Sequence, residues 1–327
     1  MAISRCNKCG IITEYERSLV GSNLDCVQCG TLTLIYDTSF FVNKLSQMFF
    51  AQRKELNALR NPSPVSVVSS DSGVINESFD IHNSDNLSSE AQHEPIIKWF
   101  KSKNINASAN VKSVDTTGFF DEAAVAIGAN YELLGGVCER IRYAQQKAYN
   151  SVTIQLDKKP KEEAKLLRSF IQQLYEHSLF SRIIHHKSDG TVKVVLQNAP
   201  SVRHFFSGEW LEWYALMQSL KLCQARKVKF SCARNMTFSY SNGEKRELDV
   251  FLLINNNQPI YIECKSGGFR QDLDKYVMLS KRLDISQKSF IICVADIDTE
   301  QTKGLSAMYG LTFVNTQTLV QHLSTLI

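Results

Sequence analysis

Apolar positions along the chain change their spacing several times. Over residues 39–60, Phe41, Leu45, Met48, Phe49, Leu56 and Leu59 recur at amphipathic helical spacing behind Ser39, a residue type that caps helices. Residues 61–92 turn to Ser, Asn, Asp and Pro with few large apolar side chains, the composition of a flexible linker. Helical periodicity returns over 95–103, 119–129, 131–149 and 161–177, with a strand at 152–156. A hairpin follows, 181–186 and 191–197, turned by Ser188-Asp189-Gly190. Helix, strand, helix and two-stranded wing suit a winged-helix module, and a general α+β domain equally well. From 208 to 222 a helix is apolar round most of its circumference, through Trp210, Leu211, Trp213, Tyr214, Leu216, Met217 and Leu220. Strands at 227–232 and 237–241 come next. Helix 270–283, strand 289–294, helix 299–308, strand 311–314 and helix 316–326 complete a mixed sheet covered by helices.

The pattern is sharpest in residues 247–265, ELDVFLLINNNQPIYIECK. Two β-rich apolar runs, 248–254 and 259–264, flank the turn residues Asn255, Asn256 and Asn257, which predicts a hairpin. Pairing symmetric about Asn256 sets Val250 against Ile262 and Asp249 against Glu263. Carboxylates opposed at about 5 Å destabilise a strand pair unless a cation neutralises them. Alternation puts Glu263 and Lys265 on one face and Cys264 on the other, leaving the Cys264 carbonyl as a further hard oxygen ligand. The runs read as strands buried on both faces, so an exposed salt-bridge cluster explains these charges poorly. Glu212 lies on the apolar helix, where a carboxylate needs a cation, a donor or a role, an ordinary salt bridge being the alternative. Tyr276, at helical spacing from Leu273, Leu279 and Leu283, reads as core.

Cysteines change the picture at the N-terminus. Four of the nine form two C-x-x-C-G turns, Cys6/Cys9 and Cys26/Cys29, a tetrahedral four-thiolate set for structural zinc. So short a segment has little core, so zinc is expected to supply its folding energy. The fold is that expected of a zinc ribbon, tethered by the linker and suited to nucleic-acid or protein partners. The other cysteines are scattered through apolar segments, as reduced core thiols would be. The domain reading is therefore 1–38 ribbon, 39–60 amphipathic helix, 61–92 linker, 93–206 middle α+β domain, and 207–327 as the last domain.

Charge adds less. With 37 Lys and Arg against 33 Asp and Glu the net charge is +4, mildly favouring nucleic acid. The bias is local: Arg140, Arg142, Lys147, Lys158, Lys159, Lys161, Lys165 and Arg168 outnumber nearby acids and could line a phosphate-binding face or a solvated helix surface. The N-terminus lacks a signal-peptide core and no apolar run approaches a membrane span, so a cytoplasmic chain with no membrane partner is expected.

Asp249, thirteen further residues and Glu263-Cys264-Lys265 resemble the D…ExK core of the PD-(D/E)xK nuclease superfamily. Gly208-Glu209-Trp210-Leu211-Glu212 resembles the helix ahead of that core in CARF-containing CRISPR ancillary nucleases, although nothing upstream resembles their CARF sensor. The resemblance covers roughly residues 208–327 and implies a restriction-endonuclease-like mixed sheet and a metal-dependent endonuclease, on DNA rather than RNA, in antiviral defence. Asp249, Glu263, Glu212 and the Cys264 carbonyl would hold Mg2+ or Mn2+, and Lys265 would orient the attacking water. A homodimer is a common arrangement for such enzymes. Two alternatives stay open: an inactive nucleic-acid-binding or regulatory adaptor, and a ribonuclease using the same site.

Overall fold

A computed structural model describes residues 2–6, 8–38, 42, 49, 87–114, 119–186, 190–240 and 243–327. Nearly all of the predicted helix over 39–60, most of the predicted linker, and Ser188 and Asp189 of the predicted turn lie outside the described residues. The chain divides into two compact units, Met1–Ser70 and Asp71–Ile327.

In the first unit, strands β1 (Ala2–Arg5), β2 (Ile12–Tyr15), β3 (Asn23–Asp25) and β4 (Leu32–Asp37) form an antiparallel sheet in the order β2-β1-β4-β3. The two cysteine turns connect β1 to β2 and β3 to β4, and they repeat one geometry. Gly10 donates to the Cys6 carbonyl and Gly30 to the Cys26 carbonyl, each at 2.9 Å. Both glycines take positive φ, 78° and 65°, which lets the backbone fold under the thiols. Large apolar residues such as Ile12, Val27 and Leu32 are exposed here, so the sheet buries little of its own core.

The second unit begins with α1 (Glu90–Ser102), β5 (Asn106–Ser108), α2 (Phe120–Ala129) and α3 (Tyr131–Gln146). Helix α1 is capped by Ser89, whose side chain accepts from the Gln92 N–H, and so starts inside the stretch of linker composition. β6 (Ser151–Gln155), α4 (Lys161–Glu176), β7 (Phe180–His186) and β8 (Thr191–Leu196) follow, with the three strands in the order β6-β8-β7. A short helix α5 (Pro200–His204) runs through one wide turn into α6 (Trp210–Ala225). Strands β9 (Phe230–Ser239), β10 (Lys245–Ile254) and β11 (Gln258–Lys265), helix α7 (Leu273–Leu283), β12 (Phe290–Val294), α8 (Thr299–Tyr309), β13 (Thr312–Val314) and α9 (Leu319–Leu323) complete the unit. The large sheet runs β13-β12-β11-β10-β9-β5, with β11, β12 and β13 parallel and the remaining pairs antiparallel.

Both faces of this sheet are buried. One packs on α6 in a core shared by Leu134, Leu167, Val194, Trp210, Leu216, Val250 and Ile262. The other packs on α1 and α7 through Phe100, Phe251, Tyr261, Tyr276 and Phe290. The first core passes through residue 206 without interruption, so residues 93–206 and 207–327 share one interior. The Tyr214 ring of α6 lies directly on the α2 backbone, because a Cβ on Gly128 would fall 2.3 Å from that ring.

The central hairpin has the predicted register, Val250 opposite Ile262 and Ile254 opposite Gln258, and its turn residues Asn255 and Asn256 take positive φ, 48° and 62°. The strands predicted at 227–232 and 237–241 are in fact one, β9. The polar pair Arg234-Asn235 reads as a break, yet Arg234 finds charged partners and Asn235 adopts φ 51°, so the strand continues through a kink. Alternation switches there. Met236 and Leu248 enter the second core, whereas Cys232 and Val250 enter the first.

Candidate active site

An open cleft of about 500 Å³ forms where the start of α6, the kink of β9 and β10, and the end of β11 meet. Glu209, Glu212, Asn235, Glu247, Asp249 and Lys265 line it, together with Arg142 and His204. Close approach of two segments shapes it. Gly208 has φ 150°, and a Cβ there would sit 2.7 Å from the Ser266 hydroxyl, so glycine lets the α6 start press on the residues following Lys265.

The hairpin ladder stops at Val250 and Ile262, and Asp249 takes over from the backbone: its Oδ2 accepts from the Cys264 N–H at 2.7 Å. Its other oxygen has no protein partner among the described residues. Burial, then the neighbouring Glu263 and Glu212 carboxylates, push the Asp249 pKa well above its ordinary value. Glu263 lies deeper, 7% exposed, and takes three donors: Tyr261 donates to Oε2, Tyr276 donates to Oε1 at 2.8 Å, and the Lys265 ammonium lies 2.8 Å from Oε1. Glu263 and Lys265 do share a face, and Cys264 packs against the opposite core. Burial works against the Lys265 charge, but Glu263 outweighs it and holds the pKa above the usual lysine range.

Glu212 sits at the cleft wall with Oε2 2.9 Å from Arg234, which also reaches Glu209 at 3.0 Å. Arg234 is 5% exposed, stacks 4.1 Å over the Trp213 ring and donates to the Ser113 carbonyl at 2.7 Å. Even so, burial drives the Glu212 pKa up to about 7, with Arg234 opposing and Glu209 adding to the rise. The sequence pattern does not single out Arg234, Asn235 or Tyr261, and it offers Glu209 only as part of the motif over residues 208–212. A charged residue between two apolar strand runs was the available signal for Arg234. Tyr276 is core, as its spacing predicts, and its hydroxyl also serves Glu263.

Asp249, Glu212 and Glu263 supply hard oxygens, and Asp249 keeps one oxygen open among like charges. They are gathered less tightly than the thiols. Among the described residues, Cys6, Cys9, Cys26 and Cys29 alone bring three or more candidate ligand atoms within 4.8 Å of one another. Their sulfurs approach to 3.4 Å for Cys6 and Cys29 and 3.5 Å for Cys9 and Cys26, near the roughly 3.8 Å edge of a tetrahedron with Zn–S bonds of about 2.3 Å. The Lys8 N–H points at Cys6 Sγ, and the Thr31 hydroxyl and N–H pull the Cys29 thiol down to about 6, which favours the thiolate that binds metal. The four cysteines can hold a metal ion. Among the described residues, no helix is long and apolar enough to cross a membrane.

No family model matches this chain, and neither does any curated protein. Solved structures are similar to this chain, Can2 and VC1899 among them. Can2 from Sulfobacillus thermosulfidooxidans, in complex with cyclic tetra-adenylate, aligns with a TM-score of 0.50 and 15% identity over 71% of this chain and 60% of that one. Protein VC1899 from Vibrio cholerae gives 0.48 and 17%, over 70% and 59%. The chain thus spans about 60% of the length of these proteins. Over the matched part, its fold is like that of Can2.

Proposed function

We propose that the chain is a metal-dependent endonuclease that hydrolyses phosphodiester bonds, in DNA rather than RNA. The observation that carries this reading is Asp249 at the cleft, one oxygen open, beside a lysine held in place by Glu263. A divalent cation held by Asp249 and Glu263, with Glu212 and the Cys264 carbonyl, would supply a polarised phosphate and an acidified water. Lys265 offsets phosphate charge and orients the water, while Tyr261 and Tyr276 fix Glu263 and Arg234 fixes Glu212. The four-cysteine unit holds structural zinc and, with the basic helices, binds substrate or a protein partner. Likeness of fold to Can2, solved with cyclic tetra-adenylate, supports a setting in CRISPR defence.

The three protein donors already held by Glu263 favour one second reading, an adaptor that binds without cutting. Supercoiled plasmid, linear duplex, single-stranded DNA and RNA incubated with the full chain in Mg2+, Mn2+ or EDTA separate these readings. Cutting in metal that falls about 100-fold or more in Asp249→Ala and in Lys265→Ala supports the nuclease. Cutting of RNA alone makes it a ribonuclease. No cutting of any substrate leaves the adaptor.

A further inference from the structure

We propose that Arg142 forms a phosphate-binding subsite beside the candidate metal site and receives a backbone phosphate of the nucleic-acid strand. The inference rests on the nuclease reading and names a recognition group for it. Arg142 belongs to α3, far in sequence from the D…ExK core, yet it lines the cleft. With Tyr131, Cys138, Phe206, Trp210 and Ser266 it also lines a small neighbouring gap, and its side chain stays 29% exposed. Only Nη2 is engaged among the described residues, by Glu139 at 3.1 Å. Nη1 lies 3.7 Å from the point a Cβ on Gly267 would occupy, so the guanidinium rests against the backbone that follows Lys265. No side chain on Gly267 or Gly268 stands between it and the cleft.

Charge makes the need plain. The cleft lining includes four acids, Glu209, Glu212, Glu247 and Asp249, against Arg142, Lys265 and His204, and Lys265 is already occupied by Glu263. A phosphodiester entering between those acids requires a cation with donors to spare, and a planar guanidinium offers paired N–H groups that match phosphate oxygens. Such a contact positions the strand without reading its bases.

The test is affinity of the full chain in EDTA for duplex and single-stranded oligonucleotides of DNA and RNA, measured across salt concentrations, for wild type, Arg142→Ala, Arg142→Lys and Arg140→Ala. Arg140 is an exposed cation two residues away that does not line the cleft. Arg142→Ala is expected to lower affinity about tenfold and the salt slope by about one, with Arg142→Lys recovering the slope and part of the affinity, and Arg140→Ala changing both less. Circular dichroism checks that each variant is folded. Equal losses in Arg140→Ala and Arg142→Ala, no loss in Arg142→Ala, or no binding of any oligonucleotide by wild type overturns the subsite. Arg142-dependent binding without cutting in Mg2+ or Mn2+ overturns the nuclease reading and leaves the subsite standing.

Discussion

Glu212 is pulled two ways, toward the neutral acid by burial and toward the carboxylate by Arg234, and burial wins. Its pKa in the folded chain, about 7, exceeds the ordinary 4.5. The unfolded chain therefore ionises first as pH rises, and the folded state loses stability between those two values. Asp249 is shifted in the same direction. The loss attributable to Glu212 is on the order of 3 kcal/mol once pH passes 7. In EDTA, the urea midpoint of the full chain should fall between pH 5 and pH 8, and Glu212→Gln should flatten that fall. A Glu212→Gln profile parallel to wild type would show that Arg234 already neutralises the site. Added Mg2+ should restore stability at pH 8 more than at pH 5, because it binds the ionised form.

At the scale of elements, the β10–β11 hairpin depends on its turn. Asn255 and Asn256 hold positive φ, which asparagine and glycine tolerate and β-branched residues resist. Asn256→Val should cost about 1–2 kcal/mol, while Asn256→Gly stays near wild type. Thermal unfolding checks this, and equal shifts in both variants would remove positive φ as the cause. This hairpin was legible in the sequence because turn chemistry and apolar period agree, and the same pattern placed Glu263 and Lys265 on one face. What was illegible came from departures from period. Alternation predicts Leu248 and Val250 on one face, yet they pack into opposite cores, because the kink at Asn235 and Asp249 switches sides. Tyr261 and Lys265 flank Glu263 on its own strand, where alternation puts all three on one face, but Tyr276 and the arginine that grips Glu212 come from other elements, which no local pattern joins.

At the scale of the whole chain, two units rest on different physics. The first has four thiols where a core would be, so chelation or Cys6→Ser should unfold residues 1–38 and leave the thermal transition of the second unit within about 1 °C. The second should not survive trimming to residues 207–327, because its core runs through both parts. Helix α6 is buried round its circumference because α2 packs on one side and the large sheet on the other. Cutting at 207 would strip Tyr131 from Trp210, Gly128 from Tyr214 and the residues before 207 from the shared core, and burial of each large apolar side chain is worth about 1.5–3 kcal/mol. That sum is comparable with the roughly 5–15 kcal/mol that keeps an ordinary domain folded. The cut would also remove Arg142 from the cleft. A fragment of 207–327 should therefore aggregate or lack a cooperative thermal transition, whereas 87–327 should melt cooperatively and keep whatever nucleic-acid cleavage the full chain shows. Cooperative melting and cleavage by 207–327 alone would mean that the shared core is a contact between two independent domains.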